Sequence, residues 1–146
     1  MCVKCPQKWY KFSSCLCGEV QYEVAKLNSA IEHCSCNTCR KAHAAAFNSA
    51  AEVLREEFKW LKGKSKISVY ESSKNKLRHF CSACGSQLIS ENTDKPYIML
   101  RVATLDENPN QVPEFQIWKS HEVSWLKYGS DIPAYQEWKP NHGKNT

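Results

Sequence analysis

Three thiols fall within six residues at Cys34-Ser-Cys36-Asn-Thr-Cys39, with His33 directly before them and Arg40 and Lys41 directly after. Thiols spaced C-x-C-x-x-C are too close to behave independently, and ligands this soft usually share one metal ion. A tetrahedral ion with three protein ligands has one position left, and that opening separates catalytic zinc sites from closed structural ones. The spacing leaves two readings. Either His33, His43 or the Cys2/Cys5 pair closes the site as a second structural zinc, or the fourth position takes water or a substrate thiol.

Metal is a better explanation than disulfides for the cysteines as a group. Met1 to Phe12 lack the apolar segment of a secretory signal. No apolar run approaches the ~18 residues needed to cross a bilayer. The expectation is therefore a cytoplasmic chain with no membrane partner, and in a reducing compartment disulfides are rare. The count of nine cysteines is also odd, which disulfides alone would not satisfy. The 146 residues suit one domain. The net charge of +5 is spread over lysines such as Lys4, Lys8, Lys62 and Lys66. With no arginine-rich arm or basic helix, that distribution argues against a nucleic-acid partner and suits a small anionic ligand or none.

Along the chain, residues 1–12 read as a lead-in carrying Cys2-x-x-Cys5, a pair of exposed thiols near a chain end. Cys15-Leu-Cys17-Gly18 is a metal knuckle closed by a residue without a Cβ. Val20, Tyr22 and Val24 alternate with Glu19, Gln21 and Glu23, the period-two pattern of a half-buried strand, and Asn28-Ser29 ends it. From residue 38 to 61 propensity draws a nearly continuous helix. Asn37 or Thr38 would cap it, alanines follow, and Val53, Leu54, Phe58 and Leu61 form an apolar stripe. Such a helix start would favour the anionic sulfur of Cys39.

Beyond Gly63, strands are expected at 67–70, 77–80, 87–90, 97–103 and 115–118. Cys81-Ser-Ala-Cys84-Gly85 is a second knuckle closed by glycine. Trp125, Tyr128, Pro133 and Trp138 are expected to pack on the core, and residues 139–146 to form a tail. The domain then spans 13–138, and β dominates it.

The knuckles Cys15/Cys17 and Cys81/Cys84 are each followed by glycine and a strand-like segment. Facing each other, they make a closed four-thiolate zinc site that clips the chain between them. Cys34, Cys36 and Cys39 remain as a self-contained set.

These residues resemble the family of glutathione-dependent formaldehyde-activating enzymes and their centromere-protein-V-like relatives. The likeness runs from Cys15-Leu-Cys-Gly-Glu-Val-Gln-Tyr22 through His33-Cys-Ser-Cys-Asn-Thr-Cys-Arg-Lys-Ala-His43 and Phe58-Lys-Trp-Leu-Lys-Gly63. It continues in Arg78-His-Phe-Cys-Ser-Ala-Cys-Gly-Ser86 and in Asp131-Ile-Pro133. The resemblance implies a mainly β fold of several small coiled antiparallel sheets around zinc knuckles, similar to the zinc fold of type B methionine sulfoxide reductases. It implies two zinc ions per chain, one structural on Cys15, Cys17, Cys81 and Cys84, one at an active site on Cys34, Cys36 and Cys39. In place of the long helix it implies a short turn after Cys39 and a strand near Phe47 to Val53. Where Ala44 stands, relatives often carry glycine, and a methyl group there is expected to narrow the site.

The implied activity is a carbon–sulfur lyase that adds a zinc-activated glutathione thiolate to formaldehyde, giving S-(hydroxymethyl)glutathione. Glutathione is then a co-substrate, and the partners are a small thiol and an aldehyde. The carboxylates of glutathione need cations, for which Arg40, Lys41 and His43 are the local candidates. Arg78, close to Cys81, reads as a structural anchor. The alternatives are another thiol or electrophile on the same site, a non-catalytic zinc module or glutathione carrier, and a methionine sulfoxide reductase that would need Cys2 or Cys5 as its redox thiol. Oligomeric state is not legible.

Overall fold

The computed structural model describes residues 11–127 and 132–140. Cys2, Cys5, most of the lead-in, Tyr128, Asp131 and the tail beyond Pro140 lie outside the described residues. Ten strands and one short helix follow in the order β1 (Lys11–Ser14), β2 (Gln21–Val24), β3 (Ile31–Cys34), α1 (Asn37–His43), β4 (Asn48–Leu54), β5 (Phe58–Lys62), β6 (Ile67–Ser73), β7 (Lys76–Cys81), β8 (Gln87–Asn92), β9 (Tyr97–Arg101) and β10 (Pro113–Ile117). The fold is mainly β, as expected. One sheet has the order β1-β2-β5 and the other β10-β3-β4-β9-β8-β7-β6. All pairings are antiparallel except that of β10 with β3, which is parallel.

The period-two pattern of β2 places Val20, Tyr22 and Val24 in the core, each no more than 1% exposed. They pack with Val53, Leu88, Ile98 and Leu100 from the large sheet. Removing one such side chain from water contributes about 1.5–3 kcal/mol. Tyr22 stacks on Phe58 at a ring distance of 5.2 Å and meets Trp60 edge-on at 5.9 Å. Its hydroxyl bonds to that of Thr104.

The long helix expected from 38 to 61 does not form. Its first turns exist as α1, but the chain turns at Ala44 and continues as β4, a three-residue helical turn and β5. The apolar residues that fit a helical stripe fit a strand better. Phe58 and Trp60 are two apart and so share one face of β5, where both touch Tyr22. Val53 pairs with Ile98 in the register of β4 on β9. Asn28 and Ser29, read as a strand break, hold β4 in place: Asn28 Oδ1 accepts from the Leu54 N–H at 2.7 Å and Ser29 Oγ from the Glu52 N–H at 2.8 Å. Tertiary pairing overrides helix propensity here. The strand implied near 47–53 is present, while the short turn implied after Cys39 is a seven-residue helix that starts before it.

Two further expectations fail. Residues 102–104 form a helical turn, not the end of β9. Trp125 and Trp138 do not close over the core, being 68% and 48% exposed.

Candidate metal centres and the cavity beside them

Each knuckle is a tight turn in which glycine returns the chain to a strand. The Gly18 N–H bonds to Cys15 O at 3.0 Å and the Gly85 N–H to Cys81 O at 2.7 Å. Both glycines have φ near +80°, a conformation other residues adopt only at a cost. The Cys15 N–H then bonds to Val20 O and the Cys81 N–H to Ser86 O, each at 3.0 Å. Ser86 joins the two turns, its Oγ accepting from the Leu16 N–H at 2.9 Å and lying 3.2 Å from Cys84 Sγ. The sulfurs of Cys15, Cys17, Cys81 and Cys84 lie within 4.8 Å of one another. Hydrogen bonds from Ser86 hold the Cys84 thiol down at about 5. Four soft donors so gathered, two of them buried, fit a tetrahedral zinc ion.

The second cluster is built at the junction of β3 and α1. Cys34 ends β3, Cys36 is the N-cap of α1 and Cys39 stands in its first turn. Their sulfurs also lie within 4.8 Å of one another. The capping residue is thus neither Asn37 nor Thr38. Cys36 Sγ accepts from the Cys39 N–H at 3.3 Å, so the helix start favours charge on Cys36. Burial pushes the Cys36 thiol up, but that N–H and the neighbouring thiols carry it below its ordinary value. Burial drives Cys34 the other way, up to about 12. The trio is arranged for ligands that ionise with a shared cation, and the donor set fits zinc.

Among the described residues no histidine or carboxylate completes this cluster. His33 faces elsewhere, its Nδ1 2.9 Å from Ser49 Oγ and its ring 4.3 Å from that of Phe47. Burial lowers its pKa.

The three thiols open onto a cavity of about 240 Å³ between their loop and one face of the large sheet. That face follows from strand register. Glu32 pairs with Ala50 and Ala50 with Arg101, while Arg78 pairs with Ser90 and Ser90 with Met99. All six line the cavity, and their neighbours Val53, Ile89, Ile98 and Leu100 supply the core. Lys76, two residues before Arg78 and so on the same face, lines it as well.

Arg78 and Arg101 are each only 6% exposed. Arg78 Nε donates to Ser72 Oγ at 3.0 Å, but Arg78 Nη1, Arg101 Nε and Ser90 Oγ are buried with no partner among the described residues. Burial and the charge of Arg78 bring the Arg101 guanidinium down to about 10, and burial with both arginines lowers Lys76. Burial and the carboxylate of Glu52 raise Glu32.

Two larger cavities adjoin. Arg78 also lines one of about 530 Å³ with Lys41, Tyr70 and Thr38. Arg101 also lines one of about 440 Å³ with His43, Ala44 and Ser49. Of the cations expected for glutathione, Arg40 donates from Nε to Ser35 O at 3.2 Å and so fastens the cysteine loop. Lys41 is exposed on the 530 Å³ cavity. His43 sits on the third, neutral near pH 7 because burial and the charges of Arg101 and Arg78 lower it to about 4. Sequence reading missed Arg101, Lys76 and Ser90 and took Arg78 for an anchor alone. A charge ending the apolar run Tyr97-Ile-Met-Leu100 was the available signal for Arg101.

A family model described as glutathione-dependent formaldehyde-activating enzyme matches residues 11–121. The crystal structure of a Rhodobacter sphaeroides protein is similar with a TM-score of 0.60 and 23% identity, over 72% of this chain and 97% of that one. That likeness shows the fold alone.

Proposed function

The chain belongs to the glutathione-dependent formaldehyde-activating enzyme family, and from that membership we propose that it is a carbon–sulfur lyase joining a thiol of the glutathione class to formaldehyde. The observation that carries the reading is the three-cysteine cluster without a fourth ligand among the described residues, facing a cation-lined cavity. Cys34, Cys36 and Cys39 would hold a zinc ion there, and Cys15, Cys17, Cys81 and Cys84 a second, structural one. The ion at the first site, when bound, supplies acidity that leaves a ligated thiol ionised at neutral pH. A free thiol with a pKa of roughly 8.5 is only a few per cent ionised at pH 7, so the gain in thiolate is up to about thirtyfold.

The protein's own residues bind and orient. The 530 Å³ cavity has room for the body of a tripeptide thiol, and Lys41 on its wall offers charge to a carboxylate. Because Arg78 lines both cavities, a thiol anchored in the larger one reaches the cysteines through the smaller. His43, uncharged near neutral pH, adds no positive charge beside Arg101. In the reaction a carbon–sulfur bond forms, the carbonyl π bond breaks, and the proton lost by the thiol ends on the new hydroxyl oxygen. Holding the two reactants together is the main contribution, since they also combine unaided.

Exchange spectroscopy on the zinc-loaded protein tests this. The expected result is formation of S-(hydroxymethyl)glutathione above the spontaneous rate, with Lys41→Ala weakening glutathione about tenfold, the loss of roughly one charged hydrogen bond. Binding without acceleration would make the protein a carrier. No binding of glutathione would overturn both.

A further inference from the structure

The cavity over the three cysteines is too small for a tripeptide and too positively charged for formaldehyde alone. Lys76, Arg78 and Arg101 line it together with a single carboxylate, Glu32. Among the described residues none of the three cations is in an ion pair with a carboxylate. Three thiolates on a divalent ion would add one negative charge beside them. A positive charge remains over until a ligated thiolate cancels it, and even then Arg78 Nη1, Arg101 Nε and Ser90 Oγ stay without partners among the described residues. Buried charges and donors are normally paired, and this set converges where a ligand would touch the reactive thiols. A neutral one-carbon aldehyde would satisfy none of it. A tripeptide does not fit in about 240 Å³, a volume below the roughly 300–1,000 Å³ of sites for drug-sized ligands. A two- or three-carbon carboxylate does.

We propose that Arg101, Arg78 and Lys76 form a carboxylate-binding subsite, and that the electrophile it serves is a small aldehyde or ketone acid of the 2-oxo carboxylate class. This rests on the lyase reading for its chemistry and deepens it. The guanidinium groups hold the carboxylate and turn the adjacent carbonyl carbon towards the thiol. The step balances as for formaldehyde: the carbon–sulfur bond forms, the carbonyl π bond opens, and the thiol proton ends on the former carbonyl oxygen. No oxidant or reductant enters.

The test uses the full-length zinc-loaded protein with glyoxylate, the smallest aldehyde carrying a carboxylate, and acetate, a carboxylate without a carbonyl. Titration calorimetry is expected to show binding of both. Arg101→Met should weaken binding about tenfold or more, and Arg101→Lys should recover part of it. Exchange spectroscopy should show glyoxylate addition accelerated more than formaldehyde addition, a preference that falls in Arg101→Met and persists when cysteamine, which has no carboxylate, replaces glutathione. Far-ultraviolet circular dichroism and zinc content check that the variants fold. Failure of both acetate and glyoxylate to bind would overturn the subsite. A preference that vanishes with cysteamine would overturn its assignment to the electrophile, since the carboxylate held there would be the thiol's. Arg101-dependent binding without acceleration of any aldehyde would support the subsite and overturn the lyase reading instead.

Discussion

Cys17 Sγ lies 3.9 Å from Cys81 Sγ, although 64 residues separate the two in the chain. The two knuckles meet because the strand-like segments after them belong to different sheets that share one core, in which Cys15 and Cys81 are themselves buried. A cross-link closing a loop of that length removes on the order of 4 kcal/mol of chain entropy from the unfolded state. A metal ion at this position would therefore tie the sheets together. The three-cysteine cluster spans a single loop and ties nothing distant.

Zinc content separates the two centres. The wild-type protein is expected to carry two equivalents by elemental analysis. Cys36→Ala should carry one and keep its β-sheet circular dichroism. Cys81→Ala should lose both the metal and most of the cooperative thermal transition. Unfolding of Cys36→Ala would mark its cluster as structural.

Gly63 and Gly18 share a positive φ but not a neighbourhood. A Cβ on Gly63 would stand 2.0 Å from Glu19 O, whereas a Cβ on Gly18 meets nothing within 4 Å. Gly18→Ala is expected to cost only the conformational strain, about 1–2 kcal/mol. Gly63→Ala must also displace backbone, and a loss above about 4 kcal/mol is expected. Urea denaturation of both variants measures the difference.

Ala44 ends α1 with φ 48°, a left-handed cap. Glycine suits that position because it lacks the Cβ that makes the conformation costly. Ala44→Gly is expected to raise stability by roughly 1 kcal/mol, part of the strain being offset by greater freedom in the unfolded chain. No change in the denaturation midpoint would contradict this.

His43 makes stability depend on pH. Its folded pKa of about 4 lies below the ordinary 6.5, so the unfolded chain binds the proton more readily. The neutral form's contribution is complete above pH 6.5 and is lost as pH falls from there towards 4. In His43→Gln this part of the acid limb should be missing. Subtracting the two stability profiles over that window cancels the protonation of cysteines common to both.

The two cysteine clusters were legible in the chain because the spacing of possible metal ligands is a local property. Cys15/Cys17, Cys81/Cys84 and the Cys34–Cys39 run each form their turn within a few residues. The alternation of Val20, Tyr22 and Val24 was equally readable, since the pleat acts on neighbours. Between 44 and 62 the local signal misled. Phe58 fits a helical stripe with Leu54 and Leu61 as well as a strand face with Trp60, and only contact with Tyr22 from another strand decides between them. The cavity lay beyond the reach of sequence for the same reason. Lys76, Arg78 and Arg101 come from β7 and β9, and Glu32 from β3. Register places them on one face, beside thiols carried by a separate loop. Residue spacing determined which cysteines form turns that could hold a metal; strand pairing alone decided which charges surround the three-cysteine cluster, because side chains distant in the chain become neighbours only when hydrogen-bonded strands align them.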